Sequence, residues 1–241
     1  MNILFQTILY KPIFNALVLL YQYLPGHDFG IAIIVLTCAV RFLLYPFTFK
    51  SIKSQKVLQE IQPKIKEIQA KFKNKKEEQA KAMMALYKEQ KISPFSGCLP
   101  LLIQLPILIA LFLVLKNLTL DKIDGNILYS FVPNPNAISP MFLGIMNLTQ
   151  KSSLLAILAG VFQFFQSKMT IPKTKKNSKD GSDFSQIMQK QMLYFFPILT
   201  VFILWGLPSA IGLYWLATTL FSIGQQYLVF KPSSESSAAT G

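Results

Sequence analysis

The sole arginine among 241 residues, Arg41, stands near the middle of an otherwise uncharged run, Gly30–Phe49. A guanidinium is always charged and presents five N–H donors with no acceptor, so its chemistry is recognition of anions and carbonyl oxygens. At the centre of a bilayer-length helix it costs about 2.5–3.5 kcal/mol on insertion scales. Such a charge normally finds a carboxylate, yet none of the five long apolar runs of this chain contains Asp or Glu. Arg41 must therefore face water or polar side chains, where it can meet an acidic group brought by another molecule.

Further polar residues accompany it. Thr37, Arg41, Tyr45 and Thr48 recur at spacings of 4, 4 and 3, which puts them on one face of a helix. Gln104 lies within the second apolar run, Gln163 and Gln166 in the third, and Thr200 in the fourth. Thr218, Ser222 and Gln225 share a face of the fifth. One isolated Thr or Gln in such a run is ordinary interhelical glue. Here the polar groups sit at the centre or in one half, while Pro106–Leu115, Leu154–Val161 and Val201–Leu207 are almost purely apolar. A one-sided set around an uncompensated charge reads as a wet cavity open to one side of a membrane. A through-pore or alternating-access transporter needs polar lining on both sides.

Other chemistries lack their residues. Cys38 and Cys98 lie in or beside apolar runs and His27 is the only histidine, so a zinc site or a disulfide framework is not expected. No nucleophile–base pair, phosphate loop or intramembrane carboxylate for a proton relay is present. The chain is expected to need no cofactor and to be no enzyme.

The elements that must position these residues follow from the apolar blocks. The chain is 52% hydrophobic and 15% charged, well below the roughly 25% charged of an average soluble domain. Blocks near 20 residues long match a bilayer core. The sequence predicts an all-α polytopic membrane protein with five spans, at 30–49, 95–116, 152–168, 192–207 and 208–230. Residues 1–29, interrupted by Lys11–Pro12, read as an amphipathic segment on the outer surface. Residues 117–151 form an outer connection, 169–191 a Lys-rich loop and 231–241 a disordered tail. Residues 50–92 hold 12 Lys against 5 Glu, and 168–191 hold 6 Lys against 2 Asp. By the positive-inside rule both stretches face the cytoplasm, with the N-terminus outside and the C-terminus inside. The span at 192–207, 16 residues long, covers only about 24 Å and predicts local bilayer thinning.

Residues 50–94 form the one sizeable cytoplasmic piece. Leu58, Ile61, Ile65, Ile68 and Phe72 make an apolar seam at helical spacing. Pro63 should break or bend the first helix, and Asn74 with Glu77 reads as the cap of a second. That second helix offers Ala80, Met83, Met84 and Tyr87 as mates for the seam. An antiparallel helical hairpin is expected, projecting from the membrane as a docking arm.

The ordered set of motifs resembles the YidC family of membrane-protein insertases, which has mitochondrial and chloroplast relatives. The likeness covers roughly residues 30–230. It rests on the run from Arg41 through Pro46 and Ser54 to Ile61–Gln62–Pro63–Lys64, then on Lys71–Phe72, Leu86–Tyr87, Gly97–Cys98–Leu99–Pro100 and Gln104–Leu105–Pro106. Pro208–Ser209, Gly212–Leu213–Tyr214–Trp215 and Gln225–Gln226 complete it. The resemblance implies a short form without the large periplasmic domain, in a bacterial inner membrane, with helices around a groove open to the cytoplasm. Arg41 would there meet polar or acidic parts of a client. The hairpin, through Leu58, Ile61, Pro63, Ile65, Met83 and Met84, would assist capture. The implied partners are nascent single- or double-span membrane proteins, the ribosome, the lipid bilayer and, as a larger assembly, the Sec translocon, with no direct contact to DNA. The rival readings are a small-solute transporter or channel, disfavoured by the apolar outer halves, and a ribosome-anchoring membrane protein.

Overall fold

Apolar runs in which every backbone N–H and C=O must be paired internally fold as helices, and helices account for most of what the chain forms. The computed structural model describes residues 3–93, 99–118, 127–135, 137–171 and 191–230. Helix α1 spans Ile3–Tyr23, with a π-helical turn at Gln6–Tyr10 where the sequence approaches Lys11–Pro12. A turn at Pro25–His27, with Gly26 at φ +81°, reverses the chain into α2, Phe29–Leu43. Asp28 caps α2 by accepting from the Ile31 amide at 2.8 Å, and its other carboxylate oxygen accepts from the Leu143 amide.

The expected span at 30–49 is not one straight helix. It ends at Leu43, and the chain bends by 69° into α3, Tyr45–Glu60. Pro46 is the cause: it has no N–H to give the Phe42 carbonyl, and its ring crowds that carbonyl. Helix α4, Gln62–Lys71, begins with Pro63 in its first turn, so the second proline starts a helix rather than bending one. Helix α5 covers Lys76–Glu89. Its start departs from the expected Asn74–Glu77 cap. Lys75 holds the cap position without a side-chain cap bond and pairs with Glu78 at 2.9 Å instead.

Helix α6 runs over Leu99–Leu118 and contains Pro106. The connection that follows carries a short antiparallel pair, β1 (Met141–Phe142) and β2 (Met146–Asn147), which periodicity did not disclose because each strand has two residues. Helix α7, Ser153–Thr170, is capped by Ser152. A π-helical turn at Gln191–Phe195 leads into α8, Phe196–Gly206, and after Leu207–Pro208 the chain returns as α9, Ser209–Phe230. The expected Lys-rich loop falls mainly on residues 172–190 and the tail on 231–241, both outside the described residues.

Helix α9 is the hub, packing on α2, α3, α6, α7 and α8. Its buried Ala210, Ile211 and Leu213 join Phe14, Leu17 and Val18 of α1, Ile33 of α2 and Val114 of α6 in the main core. Asn15 of α1, 1% exposed, spends both ends of its amide there, donating to the Lys11 and Ile127 carbonyls and accepting from the Tyr129 amide. Where α7 meets α8, a Cβ at Gly160 would collide with the Val201 side chain and lie 3.2 Å from the Pro197 carbonyl. Gly160→Val is expected to destabilise the bundle by about 1–3 kcal/mol through overpacking. Thermal unfolding in detergent reads the loss, and a second change, Val201→Ala, should restore part of it.

The hairpin has a separate small core of Ile61, Ile65 and Leu86, flanked by Val57, Leu58, Ile68, Met83, Tyr87 and Ile92. Burial pushes the Tyr87 phenol above its ordinary value. Met84 is half exposed and outside this core, so of the two methionines only Met83 joins the seam. Ile65→Ala removes the centre of this core. It is expected to cost about 2–4 kcal/mol, read as faster amide exchange in Lys76–Glu89 with α7 and α9 unchanged.

Among the described residues, Ile3–Tyr23 is the one helix that by itself is long and apolar enough to cross a membrane. Phe29–Leu43 with Tyr45–Glu60 makes a second if read through its bend, and Gln104–Lys116 and Leu193–Gly206 are shorter apolar helices.

Candidate functional site: the Arg41 pocket

Arg41 sits in the last turn of α2, just before the bend, and faces α6 and α9. A small open pocket forms there, lined by Ile13, Thr37, Arg41, Gln104, Tyr214 and Thr218 among others. The Arg41 Nη2 donates to Gln104 Oε1 at 2.9 Å, and Gln104 Nε2 donates to the Tyr214 hydroxyl. Thr37 is buried and satisfies its own hydroxyl on the Ile33 carbonyl at 2.6 Å. Among the described residues the one ion pair is Lys75–Glu78, on the hairpin. The arginine is thus held by a neutral amide and keeps its net charge.

Below the pocket, a polar stripe descends α9. Thr218, Ser222 and Gln225 are buried, Ser222 donates to the Thr218 carbonyl at 2.9 Å, and Gln225 Nε2 donates to Thr48 of α3 at 3.3 Å. The side-chain oxygens of Gln225 and Gln226 are buried without a partner among the described residues, which in a polar cleft calls for water. Helix α3 crosses the end of the bundle here. Its Lys56 donates to the Val229 carbonyl at 3.2 Å and its Gln59 to the Met169 carbonyl at 3.1 Å and to that of Thr170. These carbonyls belong to the last turns of α9 and α7, where helix ends leave acceptors unpaired.

Of the residues singled out from sequence, Thr37, Arg41, Gln104 and Thr218 meet in one pocket. Ser222 and Gln225 continue it as the stripe. Gln163 lies on α7 and accepts from Trp215 Nε1 of α9 at 3.0 Å. Gln166 is half-buried one turn further along α7, and Thr200 is buried in α8. Tyr45 departs from the expected face because the 69° bend falls just before it; it is exposed and stacks on Phe49 at 5.8 Å. Two residues with polar handles in the site, Tyr214 and Trp215, were not among the candidates. Their signal was the hydroxyl and the indole N–H, since buried Tyr and Trp need a partner for that polar end.

These elements make a mostly helical protein whose bundle carries an arginine pocket and a polar stripe, with a helical hairpin on α3. Residues 19–236 match the family model described as 60Kd inner membrane protein. The chain is similar to the membrane protein insertase YidC of Endomicrobium trichonymphae, 36% identical over 89% of this chain and 38% of that protein. The YidC of Syntrophus aciditrophicus is 35% identical over 91% of this chain and 36% of that protein. The YidC of Fusobacterium nucleatum is 35% identical over 85% of this chain and 87% of that protein. The chain therefore belongs to the 60Kd inner membrane protein family, whose curated relatives here are named YidC. It matches less than two fifths of the length of the first two relatives and nearly nine tenths of the third.

Proposed function

We propose that this chain is a membrane-protein insertase that admits a short translocated segment of a newly made client into the Arg41 pocket and releases the client's apolar span sideways into lipid. The observation that carries this reading is a charged Arg41 held at 2.9 Å by a neutral amide, with no carboxylate bonded to it among the described residues. A polar cleft lowers the cost of bringing backbone and polar side chains partway across, because hydrogen bonds replace lost hydration. Apolar burial of the client span, at about 25 cal/mol per Å², then drives release. The short apolar helix Leu193–Gly206 covers only about 21 Å at 1.5 Å per residue. Against a hydrocarbon core of about 30 Å it favours local thinning, which shortens the remaining path.

The same reading places the protein in a bacterial inner membrane, with α2, α6, α7, α8 and α9 as spans and the hairpin and residues 169–191 in the cytoplasm. The bonds from Asn15, Tyr21 and Gln22 to residues 127–139 support an outer position for that half of α1. The ribosome is the proposed source of clients and the Sec translocon a proposed larger partner.

A stalled ribosome–nascent chain with a photoreactive residue in its translocated tail tests the reading. It should crosslink to cysteines placed at Thr37 and Thr218 and not to one placed at Ile157, which is exposed on the far half of α7. Crosslinks of equal strength at all three positions would overturn it.

A further inference from the structure

The pocket contains a side chain that neither the family match nor the charge argument assigns: Tyr214. Its hydroxyl accepts from Gln104 Nε2, while the Gln104 carbonyl oxygen accepts from Arg41. The order of this chain is fixed by chemistry. A guanidinium has donors only, so Gln104 must turn its oxygen to Arg41, which sends its NH2 toward α9. There the hydroxyl of Tyr214, a buried residue, receives it. Three helices, α2, α6 and α9, are thereby tied through one arginine.

We propose that Tyr214 is a positioning residue which, through Gln104, holds the Arg41 guanidinium toward the pocket without cancelling its charge, and so sets the preference for acidic client segments. This deepens the insertase reading and rests on it. A carboxylate in the place of Gln104 would hold the arginine equally well but neutralise it. Without Tyr214 the Gln104 amide loses its anchor on α9, and Arg41's only side-chain partner among the described residues is no longer held in place. Tyr214→Phe removes one oxygen and keeps the ring, so it leaves the packing of α9 in place.

Because Arg41 is the sole arginine, protein labelled with [15N]arginine in lipid nanodiscs yields the signals of one guanidinium, of which that of Nη2, the atom bonded to Gln104, is the readout. In the wild type this signal should exchange slowly with water. In Tyr214→Phe it should exchange about fivefold faster or more, the scale of one lost hydrogen bond. Thr219→Ala, on the same helix but bonded to the Trp215 carbonyl, should leave it unchanged. In liposomes, Tyr214→Phe should lower the ratio of acidic-tailed to neutral-tailed client insertion. Gln104→Glu should abolish that preference while its arginine signal stays slow. An unchanged signal in Tyr214→Phe overturns the proposal. So does a loosened signal with an unchanged client preference when Arg41→Ala removes that preference; the insertase reading then survives alone. If Arg41→Ala leaves the preference intact, the charge role in the insertase reading fails, and the proposal falls with it.

Discussion

Arg41→Ala is expected to lower insertion of a single-span client with an acidic outer tail about tenfold, while a client with a neutral tail stays within about twofold. A hydrogen bond to a charged group is worth about 1.5–3 kcal/mol, and each 1.4 kcal/mol is a factor of ten in an equilibrium or rate. The lower end of that range applies because Arg41 is only partly buried and its pocket is open. Arg41→Lys keeps the charge but offers three donors on a flexible stem in place of a planar fork. It should restore part of the acidic-client activity and none of the geometry that ties Arg41 to Gln104. The loss comes from the missing charge and not from misfolding, since the fully buried core residues of α2, Phe29, Ala32 and Ile33, lie two or more turns before Arg41. Insertion rates measured by protease protection for the client pair give the selectivity directly. Equal loss for both clients would assign the effect to cleft polarity and remove the charge from the mechanism.

Removing the hairpin is expected to produce a large effect of a different kind. Replacing Gln62–Glu89 by a short Gly/Ser linker deletes α4 and α5 with most of their own core, Ile65 and Leu86, and leaves the main core untouched. The bundle should therefore still fold. If the hairpin captures clients, the concentration of ribosome–nascent chains that half-saturates insertion should rise about tenfold, the equivalent of losing one modest contact near 1.4 kcal/mol. The plateau rate and the acidic-to-neutral ratio should stay as in the wild type, because the pocket is intact. Half-exposed Met84 is the expected capture contact, since methionine is a soft, adaptable side chain suited to varied partners. Met84→Ala should reproduce a fraction of the effect without unfolding the hairpin, whereas Ile65→Ala should reproduce it through unfolding. A full loss of the plateau in the hairpin deletion would place the hairpin in the insertion step itself.

Much of the site is readable in the sequence because charge and amides stand out within apolar runs. Arg41, Thr37, Gln104 and Thr218 are conspicuous for that reason, and they meet in one pocket. Tyr214 and Trp215 are not, since an aromatic residue in an apolar run has the pattern of core packing; only the geometry exposes their hydrogen bonds to Gln104 and Gln163. Tyr45 illustrates the opposite error. Helical spacing aligns it with Arg41, but the spacing holds only along a straight helix, and Pro46 breaks that helix before Tyr45. The hairpin seam is legible in Leu58, Ile61, Ile65 and Ile68, which pack with Met83 and Tyr87 of the second helix, but Phe72 lies outside the core and Leu86, its centre on the second helix, carries no signal beyond its spacing. The cap of that helix is not legible, because Lys75 and not Asn74 holds the cap position, without a side-chain cap bond, and pairs with Glu78. The strands at Met141–Phe142 and Met146–Asn147 lie below the length at which a period of two can be seen.

Reconstitution decides between an insertase and a pore. Purified protein in liposomes would be given a ribosome-made, single-span client with an acidic outer tail, and protease protection would report insertion. Empty liposomes and Arg41→Ala liposomes would run alongside, with a trapped fluorescent solute to report leakage. Insertion by the wild type well above empty liposomes, about tenfold weaker in Arg41→Ala and without solute release, is the predicted result. Insertion no greater than in empty liposomes, together with release of the trapped solute, would contradict the account and identify a conducting pore instead.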